Sequence, residues 1–348
     1  MKILIIKLSS IGDVVHTLPA LYALRSAYQS AKIDWLVEEE PSNILLGHPL
    51  LDEVFVIKKK GWLKDFKNTY GIAKKVRALN YDMVLDFQGL FKSGLWVFLS
   101  KGERRIGFDK SREFSHLFLN ERLHAYNPDM HAVDRYLDIV KHLDIQCGEI
   151  KFPLYITESE KKKVSELMKV NGILDGTPFI IVNPMARWET KLWEEKKFAD
   201  MCNGIANRFS CKVVMIGASS EKENNQILSL TGNKVIDLTG KTTLKELACL
   251  MSLSQMVVTV DSGPMHIAAA AAVPVVAIFG PTAPWRTGPY GEMHTVIRKE
   301  LSCSPCFSMI CRSKDKMCMK EIEVGDVLKA VENRLNYKLQ ITNYKLQT

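Results

Sequence analysis

The sequence predicts an α/β protein of two successive domains, each a parallel β-sheet covered by helices on both faces. Three observations carry this. Short β-branched runs alternate with longer helical stretches, the pattern breaks between Lys151 and Ser159 and then restarts, and 348 residues are enough for two ordinary domains.

The first half opens with a strand at Ile3 to Leu8, followed by Ile33 to Val37, Glu53 to Ile57 and Met83 to Asp86, with helices at Val14 to Tyr28 and Thr69 to Leu79 between them. Phe152-Pro-Leu-Tyr-Ile156 is extended, and Glu158 to Asn171 is a charged amphipathic helix, so the chain is divided into domains at 1–157 and 158–335. The second half repeats the grammar with strands at Phe179 to Asn183, Lys212 to Gly217, Val235 to Asp237, Met256 to Val260 and Val275 to Phe279. Residues 336–348 hold a polar repeat, Asn336-Tyr-Lys-Leu-Gln-Ile-Thr342 then Asn343-Tyr-Lys-Leu-Gln-Thr348, and are expected to be a disordered tail. Open α/β sheets bind ligands at the carboxyl ends of their strands, and two such domains are expected to face each other across a cleft there.

Composition narrows the partners. The chain is 47% hydrophobic and 25% charged, with a formal net charge of +8 that favours anionic partners: nucleic acid, phosphorylated metabolites or a membrane surface. No nucleic-acid module or long basic arm is present, which argues against the first. The longest apolar candidate, Ile267 to Phe279, is short and contains Pro274, so no membrane span is expected. Met1 to Leu8 has four apolar residues between lysines and reads as a strand rather than a leader, giving a cytoplasmic expectation.

Chemistry is expected in the strand-to-helix turns. The first, Ser9-Ser-Ile-Gly-Asp13, has one glycine where a dinucleotide fold needs three, which disfavours a nicotinamide oxidoreductase. Spacing alone leaves two roles for Asp13: a helix cap, or a general base for a hydroxyl nucleophile. In Val257-Val-Thr-Val-Asp-Ser-Gly-Pro-Met-His266 a buried strand ends at Asp261, and Pro264 suits the first helical position. The free N–H groups of that helix start make an anion site for which a diphosphate is the natural occupant, with Ser262, Gly263 and His266 on the first turn. Val275 to Thr282 ends beside it in Gly280-Pro-Thr282, and Asn183 to Trp193 brings Thr190 and Lys191 to the same end. The run Ile57-Lys-Lys-Lys-Gly-Trp-Leu-Lys64 is either a solvated face or a patch for an anionic acceptor or membrane phosphate. Cys303, Cys306, Cys311 and Cys318 lie in a loop-like segment and suit a structural metal, labile disulfides or plain thiols.

Several of these segments together resemble a known family. Lys7-Leu-Ser-Ser-Ile-Gly-Asp-Val-Val-His-Thr-Leu-Pro-Ala-Leu21, Asp34-Trp-Leu-Val-Glu-Glu39, Tyr81-Asp-Met-Val-Leu-Asp-Phe-Gln-Gly-Leu90 and Val260-Asp-Ser-Gly-Pro-Met-His266 are similar to the ADP-heptose:lipopolysaccharide heptosyltransferases, the first two most of all to heptosyltransferase I. The likeness runs from residue 1 to about 325 in motif order. It implies a GT-B fold, two Rossmann-like domains with the acceptor on the first and the ADP-sugar on the second. The implied reaction is inverting, cofactor-independent transfer of L-glycero-D-manno-heptose from ADP-heptose to Kdo of Kdo-lipid A, on the inner face of the inner membrane.

The resemblance makes Asp13 the base and assigns Asp261, Ser262, Gly263 and His266 to the diphosphate and heptose, with Lys191 and Thr190 as phosphate clamp and Glu221 on the ribose. Ser10, Gly12, Lys58, Lys59, Lys64 and Arg122 fall where the family meets its acceptor. Two departures qualify the acceptor. Arg187-Trp188 replaces residues that often carry hydroxyls in heptosyltransferase I, and the cysteine segment, with Gly280-Pro-Thr-Ala-Pro284 before it, is more like heptosyltransferase II or the wider family, which leaves a first heptose or another sugar open as acceptor beside Kdo. A non-catalytic nucleotide-sugar or membrane-phosphate binder is the alternative from another class.

Overall fold

The computed structural model describes residues 1–59, 66–109, 112–218, 223–232 and 234–347, and the chain divides into two compact units, Met1–Tyr155 and Ile156–Thr348. The first runs β1 (Lys2–Ile6), α1 (Ile11–Ala27), β2 (Lys32–Glu38), α2 (Glu39–Leu45), β3 (Glu53–Ile57), α3 (Phe66–Ala78), β4 (Met83–Asp86), α4 (Phe91–Ser100), β5 (Arg104–Phe108), a 3-10 segment (Arg112–Phe118), β6 (Glu121–Leu123) and α5 (Ala132–Lys141). Its strands form one six-stranded parallel sheet in the order β3-β2-β1-β4-β5-β6. Ile3, Leu4, Ile5 and Ile6 of β1 are all fully buried, which is why that strand reads as an unbroken apolar run: a parallel sheet is covered on both faces. The even positions, Leu4 and Ile6, pack with Val76 of α3, Trp96 and Val97 of α4 and Phe118 of the 3-10 segment. α1 and α5 pack against one another.

The second unit runs α6 (Glu158–Val170), β7 (Phe179–Asn183), α7 (Glu195–Arg208), β8 (Lys212–Met215), α8 (Glu223–Leu230), β9 (Val235–Asp237), α9 (Leu244–Ser252), β10 (Met256–Val260), α10 (Gly263–Ala270), β11 (Val275–Ile278), α11 (Pro284–Thr287), β12 (Thr295–Ile297), α12 (Met317–Lys320) and α13 (Val324–Gln347). The sheet order is β12-β11-β10-β7-β8-β9, again all parallel. Counted from each unit's own first strand, both sheets have the order 3-2-1-4-5-6 of a doubly wound fold. The crossovers reverse direction between β1 and β4 and between β7 and β10, the positions where such sheets bind ligands. α6 starts at a capping box in which the Thr157 N–H donates to the Glu160 carboxylate (2.7 Å).

Three strands, β5, β6 and β12, escape the sequence reading. β6 and β12 have three residues each at sheet edges, and β5 (Arg-Arg-Ile-Gly-Phe) carries two arginines and a glycine, so none shows an apolar run. α13 runs to Gln347 and so takes in the residues of the repeat, whose Lys, Leu and Gln are good helix formers. Among the described residues no helix is long and apolar enough to cross a membrane.

Candidate active site

In the first unit the functional groups gather where β1 and β4 end. Asp86 closes β4 and accepts from the N–H groups of Gln88 (2.9 Å) and Gly89 (3.1 Å) and from Ser93 Oγ (3.0 Å). Gly89 has φ +66°, which a glycine adopts without the Cβ penalty. This turn directs Gln88 Oε1 back to the N–H groups of Leu8 (3.1 Å) and Ser9 (3.2 Å), fixing the loop that leads to Asp13.

Asp13 stands in the first turn of α1. Its Oδ2 accepts from the backbone N–H (3.1 Å) and hydroxyl (3.0 Å) of Ser10, which is the N-cap, so Asp13 is the third-position acid of a capping box rather than the N-cap itself. Oδ1 accepts from the Tyr136 hydroxyl on α5 (3.0 Å) and lies 3.8 Å from Lys7 Nζ. Lys7, buried at the end of β1, also donates to Tyr136 Oη (2.7 Å) and to the Phe87 carbonyl (3.0 Å). The Asp13 side chain remains 35% exposed, so its carboxylate is reachable from solvent.

Burial pushes the Asp13 carboxyl up, but the Lys7 charge and the hydrogen bonds from Ser10 and Tyr136 outweigh it and leave the group below its ordinary value. Burial draws Lys7 down, opposed by the charges of Asp13 and Asp86, and burial with Asp13 raises Tyr136 well above its usual range. Near neutral pH, then, Asp13 is ionised and Tyr136 is a neutral donor. The two oxygens of this carboxylate divide: Oδ2 serves the helix, while Oδ1 faces the Lys7–Tyr136 pair.

Sequence reasoning passed over Lys7, Gln88 and Tyr136. Lys7 had a signal, a charge closing a buried apolar strand; Tyr136, 123 positions from Asp13, had none. His16 is buried with its ring 5.2 Å from that of His131, edge to face.

Of the residues expected to meet an acceptor, Ser10 is committed to Asp13 and Gly12 is buried in the first turn of α1. Lys58 is exposed and Lys59 pairs with Glu40 (2.7 Å) just beyond β3, while Arg122 on β6 lies 3.9 Å from Asp109. At about 4.8 Å between strands, these positions flank β1 by roughly 10 and 14 Å. Lys64 lies outside the described residues, as does Glu221 of the second unit.

In the second unit the residues converge at the β7/β10 switch point. Lys191 Nζ lies 2.7 Å from Asp261 Oδ2 and 4.6 Å above the Trp188 ring centre. The Thr282 hydroxyl donates to the same Asp261 oxygen (2.6 Å). Asn183 closes β7 and donates to Thr259 Oγ1 (2.9 Å) and Ser262 Oγ (2.8 Å), which fixes the start of α10. Ser262 caps that helix, Pro264 follows in the first turn, and His266 is buried one turn in. Thr190 sits differently from the expectation: its buried hydroxyl donates to the Ser308 carbonyl (2.8 Å) and braces the loop that carries Lys191.

The four clustered cysteines are free thiols. Cys311 is drawn down by hydrogen bonds from Ser313 and from backbone N–H groups, and Cys318 is pushed up by burial and by the other three. Among the described residues no group of three or more His, Cys, Asp or Glu is arranged to hold a metal, so the metal suggested by cysteine spacing gains no geometric support.

Comparison with known proteins now bears on this geometry. Residues 69–317 match the model of glycosyltransferase family 9 (heptosyltransferase), well over half the chain. The chain belongs to glycosyltransferase family 9. This heptosyltransferase-family enzyme is 28% identical over 320 residues to lipopolysaccharide heptosyltransferase 1 of Pseudomonas aeruginosa, covering 89% of this chain and 87% of that one. It is 27% identical over 350 residues to lipopolysaccharide heptosyltransferase 3 of Escherichia coli, covering 93% and 95%. Among solved structures, Escherichia coli heptosyltransferase WaaC with ADP superimposes with a TM-score of 0.77 at 25% identity, covering 96% of this chain and all of that one. The glycosyltransferase thus has the GT-B fold of its structural neighbours, and the dinucleotide oxidoreductase reading is excluded.

Proposed function

We propose that the enzyme transfers L-glycero-D-manno-heptose from ADP-heptose to Kdo of the lipopolysaccharide inner core, Kdo-lipid A, with inversion and without a metal. The observation that carries this reading is Asp13: a reachable, ionised carboxylate fixed by Lys7, Ser10 and Tyr136 at the sheet's switch point. It takes the proton of the acceptor hydroxyl as that oxygen attacks the anomeric carbon and the bond to the diphosphate breaks. A carboxylate below its ordinary value is a weak base, so the proton moves late, once bond formation has acidified the hydroxyl.

The departing ADP needs positive charge. The α10 start supplies N–H groups through Ser262 and Gly263, Lys191 supplies an ammonium already held between Asp261 and Trp188, and His266 lies one turn in. Thr190 positions the Lys191 loop and Glu221 is assigned to the donor ribose. Lys58, Lys59, Lys64 and Arg122 receive the acceptor's anionic groups, with Ser10 and Gly12 shaping the floor beside Asp13. The chemistry belongs at the cytoplasmic, anionic surface of the inner membrane, where a lipid-anchored acceptor is presented.

The test offers ADP-heptose with Kdo-lipid A and with its monoheptosylated form. Consumption of the first supports the reading; consumption of the second alone moves the acceptor to the first heptose, in keeping with relatives named heptosyltransferase 2 and 3 at 25% and 27% identity. Asp13→Asn that turns over normally overturns the base assignment.

A further inference from the structure

The chain's positive charge is not spread evenly. Residues 58–79 hold eight lysines and arginines against one aspartate, a net +7 within a chain whose total is +8. Most of this segment is α3, whose Ile72, Ala73 and Val76 pack inward while Lys67, Lys74, Lys75 and Arg77 are exposed, with no acidic residue on the helix. α3 packs beside α4, and α4 against the 3-10 segment, so the three form one layer over the sheet.

The same layer carries large apolar side chains on its outside. Tyr70 is 61% exposed, Phe91 52%, Phe98 55%, Phe114 72% and Leu117 65%. Phe91 and Phe98 flank one ring: that of Phe118 lies 5.6 Å from that of Phe91 and 6.2 Å from that of Phe98, and the Phe91 N–H donates to the Glu113 carboxylate (3.1 Å), next to Phe114 in the chain. Phe114 holds φ +58°, a conformation bulky residues rarely adopt, while its ring meets no core that would offset the strain. Exposed aromatics interleaved with lysines match the chemistry of a surface that sits at the headgroup level of an anionic bilayer.

We propose that the outer surface of this layer, the basic face of α3 with Phe91, Phe98, Phe114 and Leu117, is where the protein docks on an anionic lipid bilayer. This rests on the membrane side of the function given above and names its contact face. Lysines provide attraction to the headgroups, and the phenylalanines, on α4 and the 3-10 segment, enter the interface.

The test is sedimentation of the full chain with vesicles of phosphatidylcholine alone and of phosphatidylcholine mixed with phosphatidylglycerol. The protein is expected on the anionic vesicles, less so as salt rises. Phe114→Ser with Leu117→Ser, both exposed and so compatible with an unchanged melting temperature, weakens that binding by about tenfold or more. Lys74→Glu with Lys75→Glu removes the preference for anionic vesicles. No binding of the wild-type chain, or undiminished binding of the Phe114/Leu117 variant, overturns the proposal. A dimer in solution that the same variant dissolves also overturns it, by giving the face to a second copy. Turnover of a water-soluble, deacylated Kdo acceptor separates the two readings: the variant retains it if heptosyl transfer is right. A wild-type chain that binds vesicles but turns over no acceptor sinks the transfer reading alone.

Discussion

Lys191→Met tests the donor site most directly, because it removes the partner of a buried charge. Asp261 is 5% exposed and its Oδ2 lies 2.7 Å from Lys191 Nζ, whose side chain is 17% exposed. Removing one partner of a buried pair costs about 3–5 kcal/mol. The Thr282 hydroxyl still donates to Asp261 (2.6 Å), so the lower end applies, about 3 kcal/mol. At about 2–4 °C per kcal/mol for a unit of this size, calorimetry should show the second unit melting roughly 6–12 °C lower. Asp261→Asn leaves a lysine that can still reach water and costs less, about 1 kcal/mol. The double variant should be more stable than additivity predicts, by about 2 kcal/mol. ADP binding, read by titration calorimetry, should weaken about tenfold or more in Lys191→Met, since a charge-assisted hydrogen bond is worth about 1.5–3 kcal/mol. Additive melting shifts would refute the buried pair, and unchanged ADP affinity would refute the clamp.

Other outcomes follow from the first unit and from pH. Asp13→Asn should lower kcat about 10²–10⁴-fold while leaving ADP affinity unchanged, measured by product release and calorimetry. Tyr136→Phe removes a hydrogen bond that holds the Asp13 carboxyl down, so the acid limb of the kcat/KM profile should move to higher pH; an unmoved limb would show that Tyr136 only packs. His294 is held neutral, with Nδ1 accepting from the Val275 N–H (3.2 Å) and Nε2–H donating to the Tyr290 carbonyl (3.1 Å), and burial, reinforced by Arg334, lowers it to about 4. Because the unfolded chain binds the proton first, the second unit should lose stability as pH falls from about 6.5 to about 4, by at most about 3 kcal/mol. Calorimetry across that range on wild type and His294→Gln checks it, the variant showing the shallower slope.

Much of this protein was legible in its sequence because its central strands are buried on both faces. β1, β2, β4, β7 and β10 appear as apolar runs that end in the turns carrying Asp13, Asp86, Asn183 and Asp261. The edges were less readable, since β6 and β12 are too short for a pattern, and β5 interrupts its own with Arg104, Arg105 and a glycine. Within the site, Asp13 and Lys191 could be singled out because each stands in a turn with its own local logic. Their distant partners could not, since Tyr136 and Thr282 become partners only when separate segments pack. The Trp188 that looked like a departure from the family pattern turns out to lie under the Lys191 ammonium, 4.6 Å from ring centre to Nζ.

The hydrogen bond between Tyr136 and Asp13 also sets an order of events during synthesis. The carboxylate is made among the first residues, but the hydroxyl that orients it comes 123 residues later. At about 5–20 residues per second, a ribosome takes roughly 6–25 s to supply it. Once β2 and β4 have been made, β1 can pair with them, yet until α5 follows Lys7 has no phenol to donate to, and the side of Lys7 and Asp13 that Tyr136 covers stays open. Docking of α5 is therefore the step that completes the hydrogen bonding of the Asp13 carboxylate, so the surroundings of the unit's first turn are finished only when its last helix is in place.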